Sequence, residues 1–231
     1  MTALSVKGIV KTFQTESGVT SALKGVSIDF EQSSTTIVAG ANGSGKSVLM
    51  HIIAQLIEAD SGEVSGNESV GLVFQDADTQ ILGETAREDV AFGVENVFSC
   101  KKAEVEERVN AALEQTGLFD KADYPARFLS GGQKRRLAVA GILAMKRDVI
   151  IFDEPYANLD FPGVRDVNTL LAQLKHEGKT ILLLTHEIEK CLGMADHVII
   201  LQQGHIVFDG TPTDALAAPL ESWGIKNPLT A

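Results

Sequence analysis

Residues 40–47 read Gly-Ala-Asn-Gly-Ser-Gly-Lys-Ser, which has the spacing G-x-x-x-x-G-K-[ST] of a phosphate-binding loop. The motif follows an apolar run at 36–38 that predicts a strand, and it opens a stretch with helical spacing. The glycines let successive N–H groups point inward, and the helix amino terminus adds positive partial charge. Lys46 is expected to reach the β- and γ-phosphates of a nucleotide, and Ser47 to hold Mg²⁺. The predicted nucleotide contacts in this loop are Gly40, Ala41, Asn42, Gly43, Ser44, Gly45, Lys46, Ser47 and Val48.

Two carboxylates, Asp153 and Glu154, follow the apolar run at 149–152. Open α/β sheets bind ligands at the carboxyl edge of their strands, where adjacent acids are costly without a partner. Mg²⁺ is such a partner, so Asp153 is predicted to hold the metal and Glu154 to orient and polarise the attacking water. The alternative interpretation is that both acids only cap the helix that follows Pro155.

Two further polar residues follow predicted strands. His186 comes after the run at 180–184, and its imidazole is expected to bridge the γ-phosphate and the catalytic carboxylate. Gln75 follows the run at 70–74, and its amide is expected to contact Mg²⁺ or the attacking water. The predicted catalytic residues are therefore Glu154 and His186, and the predicted metal ligands are Ser47, Gln75 and Asp153. The remaining histidines lack metal-ligand spacing and are interpreted as structural: His51, His176, His197 and His205.

The composition narrows the class of protein. With 231 residues and 44% hydrophobic content, the chain can bury a sizeable core as one domain. A net charge of −11 argues against a nucleic-acid partner, which would require a basic face. The apolar stretch at 137–145 is about half the length of a membrane-spanning helix, and the amino terminus lacks a secretory pattern. We therefore expect a chain that neither spans a membrane nor is secreted. Cys100 and Cys191 are interpreted as packing residues in a reducing compartment.

The elements that position these residues are predicted from apolar patterning. Residues at 48–57 and 164–174 form helical stripes between the runs that read as strands, which favours a mostly parallel sheet covered on both faces. Residues 101–116 and 130–145 instead follow one another as helices, so a helical subdomain is predicted at 76–146, inserted into an α/β core of 1–75 and 147–231. The tail at 211–231 is predicted to be a short helix followed by irregular chain. The predicted strands are 4–10, 26–30, 36–38, 70–74, 149–152, 180–184, 197–201 and 206–208.

A second anion-binding helix terminus is predicted at Leu-Ser-Gly-Gly-Gln, residues 129–133, before a basic helix start. The chain therefore has two predicted anion-binding termini but only one predicted catalytic edge, so one of the termini is in excess. At this point the sequence is similar to the nucleotide-binding subunits of ABC transporters. The resemblance implies a P-loop NTPase core, an N-terminal antiparallel β part and an inserted helical subdomain. It also implies that Ser130, Gly131, Gly132 and Gln133 of one subunit close over ATP held by another.

The same resemblance assigns further residues. Phe13 is similar to the aromatic that stacks on adenine, with core or edge packing as the alternative. Gln75 is similar to the Q-loop glutamine, residues 158–160 to the D-loop with Asp160, and His186 to the switch histidine. Within the family, residues 70–96 resemble the ATPases of energy-coupling factor (ECF) importers of vitamins and metal ions, through Gln80 and the segment Glu-Asp-Val-Ala-Phe-Gly-Val-Glu-Asn.

What the ECF resemblance implies is an ATP-hydrolysing subunit that works with Mg²⁺ as a head-to-tail homodimer, or as a heterodimer with a related ATPase. Such a subunit lies at the cytoplasmic face of the membrane and docks on a transmembrane coupling subunit that also holds a substrate-binding membrane subunit. Ala77 and Ala157 depart from the commoner residues of the family. Two alternatives are a soluble ABC ATPase in a non-transport assembly and an inactive regulatory member; the presence of Glu154 and His186 argues against the latter.

Overall fold

The N-terminal part of the protein is an antiparallel sheet. The computed structural model describes residues 1–15, 18–66 and 69–230. Within them, β1 (Thr2–Thr15) lies between β2 (Gly18–Glu31) and β4 (Ser61–Ser65). The predicted strands at 4–10 and 26–30 are confirmed as parts of β1 and β2. Strand β4 was missed, because its polar sequence becomes a strand only by pairing with the edge of β1, as in Val6 with Val64.

A second sheet carries the predicted carboxyl edge. Its strands are β3 (Thr35–Ala39), β5 (Val70–Val73), β6 (Val149–Asp153), β7 (Thr180–Thr185), β8 (His197–Gln202) and β9 (His205–Gly210). Over the described ranges their order is β5-β6-β7-β3-β8-β9, and all neighbours are parallel except β8 and β9. The central strands are buried along nearly their whole length, as expected for a parallel sheet covered on both faces. The predicted strands at 36–38, 70–74, 149–152, 180–184, 197–201 and 206–208 are confirmed to within a residue or two.

Helices cover this sheet with the apolar faces that the sequence indicated. Helix α1 (Lys46–Ile53) buries Leu49, Met50, Ile52 and Ile53, although the predicted stripe extended to residue 57. Helix α5 (Phe161–His176) buries Val167, Leu170, Leu171 and Leu174 of its predicted stripe. A short α6 (Pro212–Ala217) and a 3₁₀ turn at Leu220–Trp223 follow β9, and the tail packs back against the core through buried Leu220 and Ile225.

Three helices form a separate packed unit. They are α2 (Ala86–Val97), α3 (Lys102–Gln115) and α4 (Gly131–Ala144), and their shared core includes Val90, Leu113 and Leu137. The predictions of helix at 101–116 and 130–145 are confirmed, whereas α2 was not predicted as a separate element. This core supports the division into a helical subdomain at 76–146 and an α/β core, which stays a proposal. In the described part of the chain, no helix is both long and apolar enough to cross a membrane.

Candidate active site

The phosphate-binding loop connects β3 to α1 and depends on glycine for its shape. Gly40 and Gly45 have φ values of 155° and 107°. A Cβ atom on Gly40 would lie 2.4 Å from the carbonyl oxygen of Leu201, and one on Gly45 would lie 2.6 Å from that of Ala22. A side chain at either position would therefore collide with the backbone that surrounds the loop.

The amino terminus of α1 faces a cavity of about 350 Å³. Gly45 occupies the N-cap position, and among the described side chains none caps this helix, so its first-turn N–H groups remain available to a ligand. Asp153 and Glu154 form an acidic part of its wall. The described lining consists of Phe13, Ala22, Asn42, Gly43, Ser44, Gly45, Lys46, Ser47, Val48, Gln75, Asp153 and Glu154. The structure thus brings most of the predicted nucleotide contacts together around one space, although Gly40 and Ala41 are not among the residues that line it.

Lys46 lies across its own loop. Its Nζ donates to the carbonyl oxygen of Gly40 at 2.6 Å and to that of Ala41 at 3.3 Å. Burial lowers the pKa of the Lys46 ammonium, and the nearby Glu154 and Asp153 charges act in the opposite direction. A buried cation beside N–H donors is suited to the negative charge of a polyphosphate. Two carbonyl oxygens compensate the Lys46 charge only in part, and a bound phosphate would compensate it more fully.

The acidic wall of the cavity fits a divalent cation. Burial, and then the Glu154 charge, raise the pKa of the Asp153 carboxyl, while His51 and Lys46 lower it. Ser47 and Gln75 line the same cavity and add a hydroxyl and an amide oxygen. Within the described ranges, there is no cluster of three or more His, Cys, Asp or Glu side chains that could hold a metal without other ligands. A site of this kind suits Mg²⁺, which keeps several waters and uses few protein carboxylates.

His51 is a residue that the sequence analysis placed among structural histidines. The structure sets it close enough to Asp153 to lower the pKa of that carboxyl. The signal that could have found it is its position four residues after Ser47 on α1, since residues four apart share a helix face. His51 therefore belongs to the electrostatic surroundings of the acidic wall.

Glu154 and His186 contact each other beyond the ends of β6 and β7. His186 Nδ1 lies 3.1 Å from Glu154 Oε1 and 3.2 Å from Oε2. The Glu154 N–H donates to the Leu184 carbonyl oxygen at 2.9 Å, which fixes its backbone against β7. Glu154 has a φ of 44°, an unfavourable value for a non-glycine residue, as found at functional sites held by their surroundings. The neighbouring strands therefore place the predicted catalytic pair side by side.

The second predicted phosphate site lies elsewhere in the chain. Ser130, Gly132 and Asp160 line a separate cavity of about 300 Å³ together with Arg135 and Arg136. Within the chain, Ser130 and Asp160 act as helix caps. Ser130 Oγ accepts from the Gln133 N–H at 3.4 Å, and Asp160 Oδ1 accepts from the Gly163 N–H at 3.0 Å. The structure does not bring this second set to the loop at 40–47. The set comprises Ser130, Gly131, Gly132, Gln133 and Asp160.

Gln80 ties the segment after Gln75 to the sheet. Its Nε2 donates to the Leu72 carbonyl oxygen at 3.0 Å, and its Oε1 accepts from the Phe74 N–H at 3.1 Å. The side chain thus acts as a substitute strand partner for β5, which lies at the edge of the sheet. Asp78 pairs with Lys134 on α4, so the same short segment contacts the helix that begins at the second predicted phosphate site.

Comparison with known proteins identifies the class. The family model described as ABC transporter matches residues 23–157. The energy-coupling factor transporter ATP-binding protein EcfA of Carboxydothermus hydrogenoformans is 38% identical over 90% of this chain and 82% of its own length. EcfA2 of Methanospirillum hungatei is 37% identical over 85% of this chain. The match covers 53% of the length of that relative, so this chain spans about half of it. The chain therefore belongs to the ABC transporter family and is an ATPase.

Solved structures agree in fold. The cbiO1 protein of Clostridium perfringens, described as part of the ABC transporter complex cbiONQ, has a TM-score of 0.83 and 33% identity, covering 95% of this chain and 92% of its own. A dimeric ATP-binding cassette in a post-hydrolysis state with ADP and phosphate has a TM-score of 0.78 and 26% identity, covering 90% of this chain and 98% of its own. The predicted fold class is confirmed. The resemblance to ECF ATP-binding proteins is confirmed as well, since several of the relatives carry that name.

Proposed function

We propose that this chain powers an ECF-type importer of a metal ion or a vitamin by binding and hydrolysing MgATP in a head-to-tail dimer. The observation that carries the proposal is that the two predicted phosphate-binding helix termini line separate cavities. One, on α1, lines the cavity with Asp153 and Glu154. The other, on α4, lines a cavity that contains neither of these two acids. A second copy of the chain, or a related ATPase, would bring the α4 terminus to the α1 cavity.

The residues of the α1 cavity divide the chemistry among them. Phe13, at 39% exposure, offers a ring for the adenine, and the amides at 42–48 with Lys46 hold the phosphates. Glu154 orients the attacking water and accepts its proton, and the His186 Nδ1–H donates to the Glu154 carboxylate and holds it in place. Ser47, Gln75 and Asp153 would hold Mg²⁺, which neutralises charge that develops on the phosphates.

Closure of the dimer would complete each site. Ser130 and the N–H groups of Gly131 and Gly132 from the partner copy would bind the γ-phosphate across the interface, near Asp160 of the same partner. Binding of two nucleotides favours the closed state because only that state makes both sets of contacts. Hydrolysis removes the γ-phosphate contact and reopens the dimer, which gives the motion that a membrane partner can use.

A mixing experiment tests the shared site. Glu154→Gln lacks the catalytic carboxylate but keeps the α4 terminus, whereas Gly132→Asp keeps the carboxylate and places negative charge where phosphate should bind. Each variant alone is expected to hydrolyse ATP at less than about one hundredth of the wild-type rate. Their mixture forms dimers with one complete site, so activity is expected to rise at least tenfold above either variant. If the mixture stays as inactive as its components, the head-to-tail site is wrong.

The helical unit offers the surface for a membrane partner. The segments around residues 84–87 and 122–126 are joined by backbone hydrogen bonds, such as Arg87 N–H to Ala122 O at 2.8 Å. Exposed apolar side chains lie close in sequence to these segments: Leu82 at 67%, Phe92 at 51%, Tyr124 at 44% and Phe128 at 63%. A concentration of exposed apolar residues on one unit is typical of an interaction surface. This supports docking of a transmembrane coupling subunit, itself bound to a substrate-binding membrane subunit, at the cytoplasmic face of the membrane.

Co-purification from detergent-solubilised membranes tests this second part of the proposal. Phe92→Ser and Phe128→Ser are expected to release the membrane subunits while the purified chain still hydrolyses ATP. Leu56→Ser is the matched control, because Leu56 is 55% exposed but follows α1 in the α/β core. Retention of hydrophobic subunits by all three variants would contradict docking at this surface, and capture of soluble partners alone would favour a non-transport assembly.

A further inference from the structure

Tyr156 connects the two strand ends that carry Glu154 and His186. Its side chain is fully buried, at 0% exposure. The Tyr156 hydroxyl donates to Asn168 Oδ1 at 2.7 Å, and Asn168 Nδ2 donates to the Lys190 carbonyl oxygen at 2.8 Å. Lys190 ends the 3₁₀ turn Ile188–Lys190, which follows His186 closely. A single amide on α5 therefore joins the segment after β6 to the segment after β7.

The sheet holds the Glu154 N–H through Leu184 O, but its regular pairing does not extend to the segments that follow the two strands. Strand β6 ends at Asp153 and β7 at Thr185, so Glu154 and His186 each lie one residue past the regular strand. The positive φ of Glu154 must be held by what surrounds it, because an unconstrained chain would relax toward a commoner conformation. The buried Tyr156 ring, two residues further on, supplies such an anchor.

The polarity of the network is consistent along its length. Burial raises the pKa of the Tyr156 hydroxyl, so it remains protonated and donates. Asn168 can then accept through Oδ1 and donate through Nδ2, and both bonds are made. The Cys191 thiol, whose pKa burial raises to about 12, packs beside Tyr156 and donates to the Ile188 carbonyl oxygen at 3.6 Å. A buried network in which every member is paired rigidifies the groups attached to it.

We infer that Tyr156 and Asn168 are positioning residues for ATP hydrolysis, which hold Glu154 and His186 in mutual contact from behind the site. The inference rests on the roles proposed above for Glu154 and His186. Tyr156 and Asn168 are not part of the lining described for the α1 cavity, so they should act on the chemical step and leave nucleotide binding unchanged. Small displacements of catalytic groups are enough to slow a reaction by about a hundredfold.

Steady-state kinetics of two variants test the inference. Tyr156→Phe removes only the donor hydroxyl, and Asn168→Ala removes both hydrogen bonds, so the second variant remains informative if the first does not fold. We expect kcat to fall about ten- to a hundredfold in each, while KM for MgATP stays within about twofold. Because Tyr156 contacts Asn168, the double variant should lose little more than Asn168→Ala alone.

Matched controls separate positioning from stability. Thr169→Ala removes a hydrogen bond to Arg165 O from the next residue of α5, and Thr116→Val removes a buried one to Ala112 O in the helical unit. Both controls should shift the thermal midpoint but keep kcat per folded molecule. Wild-type kcat in Tyr156→Phe and Asn168→Ala, or equal kcat losses in the controls, overturns the inference. Glu154→Gln is measured alongside: if it retains full turnover, the proposed catalytic role fails, whereas loss in Glu154→Gln with neutral Tyr156→Phe rejects only the positioning role.

Discussion

The helix termini of α1 and α4 are both predicted phosphate sites, yet they are built in opposite ways. The α1 terminus has glycine at its N-cap and no side-chain cap among the described residues. The α4 terminus is closed by a capping box, in which the Ser130 Oγ accepts from the Gln133 N–H at 3.4 Å and Gln133 Oε1 accepts from the Ser130 N–H at 3.0 Å. The first is open to a ligand in the single chain, whereas the second already has internal partners.

The glycines at the two termini differ in the same sense. Gly45 has a positive φ, and its missing Cβ makes room for the Ala22 backbone of the same chain. Around a Cβ placed on Gly131 or Gly132, no described atom beyond the chain neighbours and the helix's own backbone lies within 4 Å. The fold of the chain explains why Gly45 must be glycine, but it gives no reason for the two glycines of α4. In the proposed dimer, the reason would be the phosphate held by the partner copy.

This contrast supports different roles for the two termini in the proposed dimer. In the proposed dimer, the α1 terminus of each copy would bind nucleotide, with Lys46 and the acidic wall beside it. The α4 terminus is held by a long Ser130 contact that a phosphate can replace at little cost. The proposal therefore predicts that hydrolysis depends on both termini, whereas nucleotide binding depends on the α1 terminus alone.

Glu154→Gln should have the largest effect, and it tests whether catalysis belongs to the α1 side alone. Loss of the carboxylate that orients water is expected to reduce turnover by about a thousandfold or more, while affinity for ATP is retained. Single-turnover hydrolysis and equilibrium nucleotide binding measure the two quantities. Asp148→Asn is the matched control, because Asp148 precedes the opposite end of β6 and pairs with Lys179; it should hydrolyse ATP normally. Wild-type turnover in Glu154→Gln would contradict the assignment of the catalytic carboxylate to the α1 side.

Two alanine substitutions sharpen the comparison through stability. Gly45→Ala is expected to lower the free energy of unfolding by at least about 1–2 kcal/mol, because alanine must adopt a left-handed conformation and its Cβ meets the Ala22 carbonyl. Gly132→Ala should leave stability unchanged within about 0.5 kcal/mol, yet slow hydrolysis about a hundredfold. Urea unfolding and ATP turnover, measured on both proteins, check the pair. A Gly132→Ala protein with unchanged turnover would show that α4 does not reach the phosphates.

The local motifs were predictable because each is a continuous segment with a chemical requirement. The phosphate loop at 40–47, the acids at 153–154 and the polar residues after strands needed only spacing and the rule that parallel strands end at one edge. Most strands followed from apolar runs. Strand β4 could not be predicted in this way, since its residues Ser-Gly-Glu-Val-Ser carry no strand pattern and acquire structure only from β1.

By itself, then, the sequence determined the nucleotide chemistry and the family, because spacing and residue type along the chain specify a loop, an acidic edge and a capped helix. Tertiary structure alone decided which distant groups meet. The return of Gln80 to β5 and the link from Tyr156 through Asn168 to Lys190 join segments that no local pattern relates. The physical reason is that a hydrogen bond or charge contact across the fold depends on the packing of whole elements, which residue spacing in one segment does not encode.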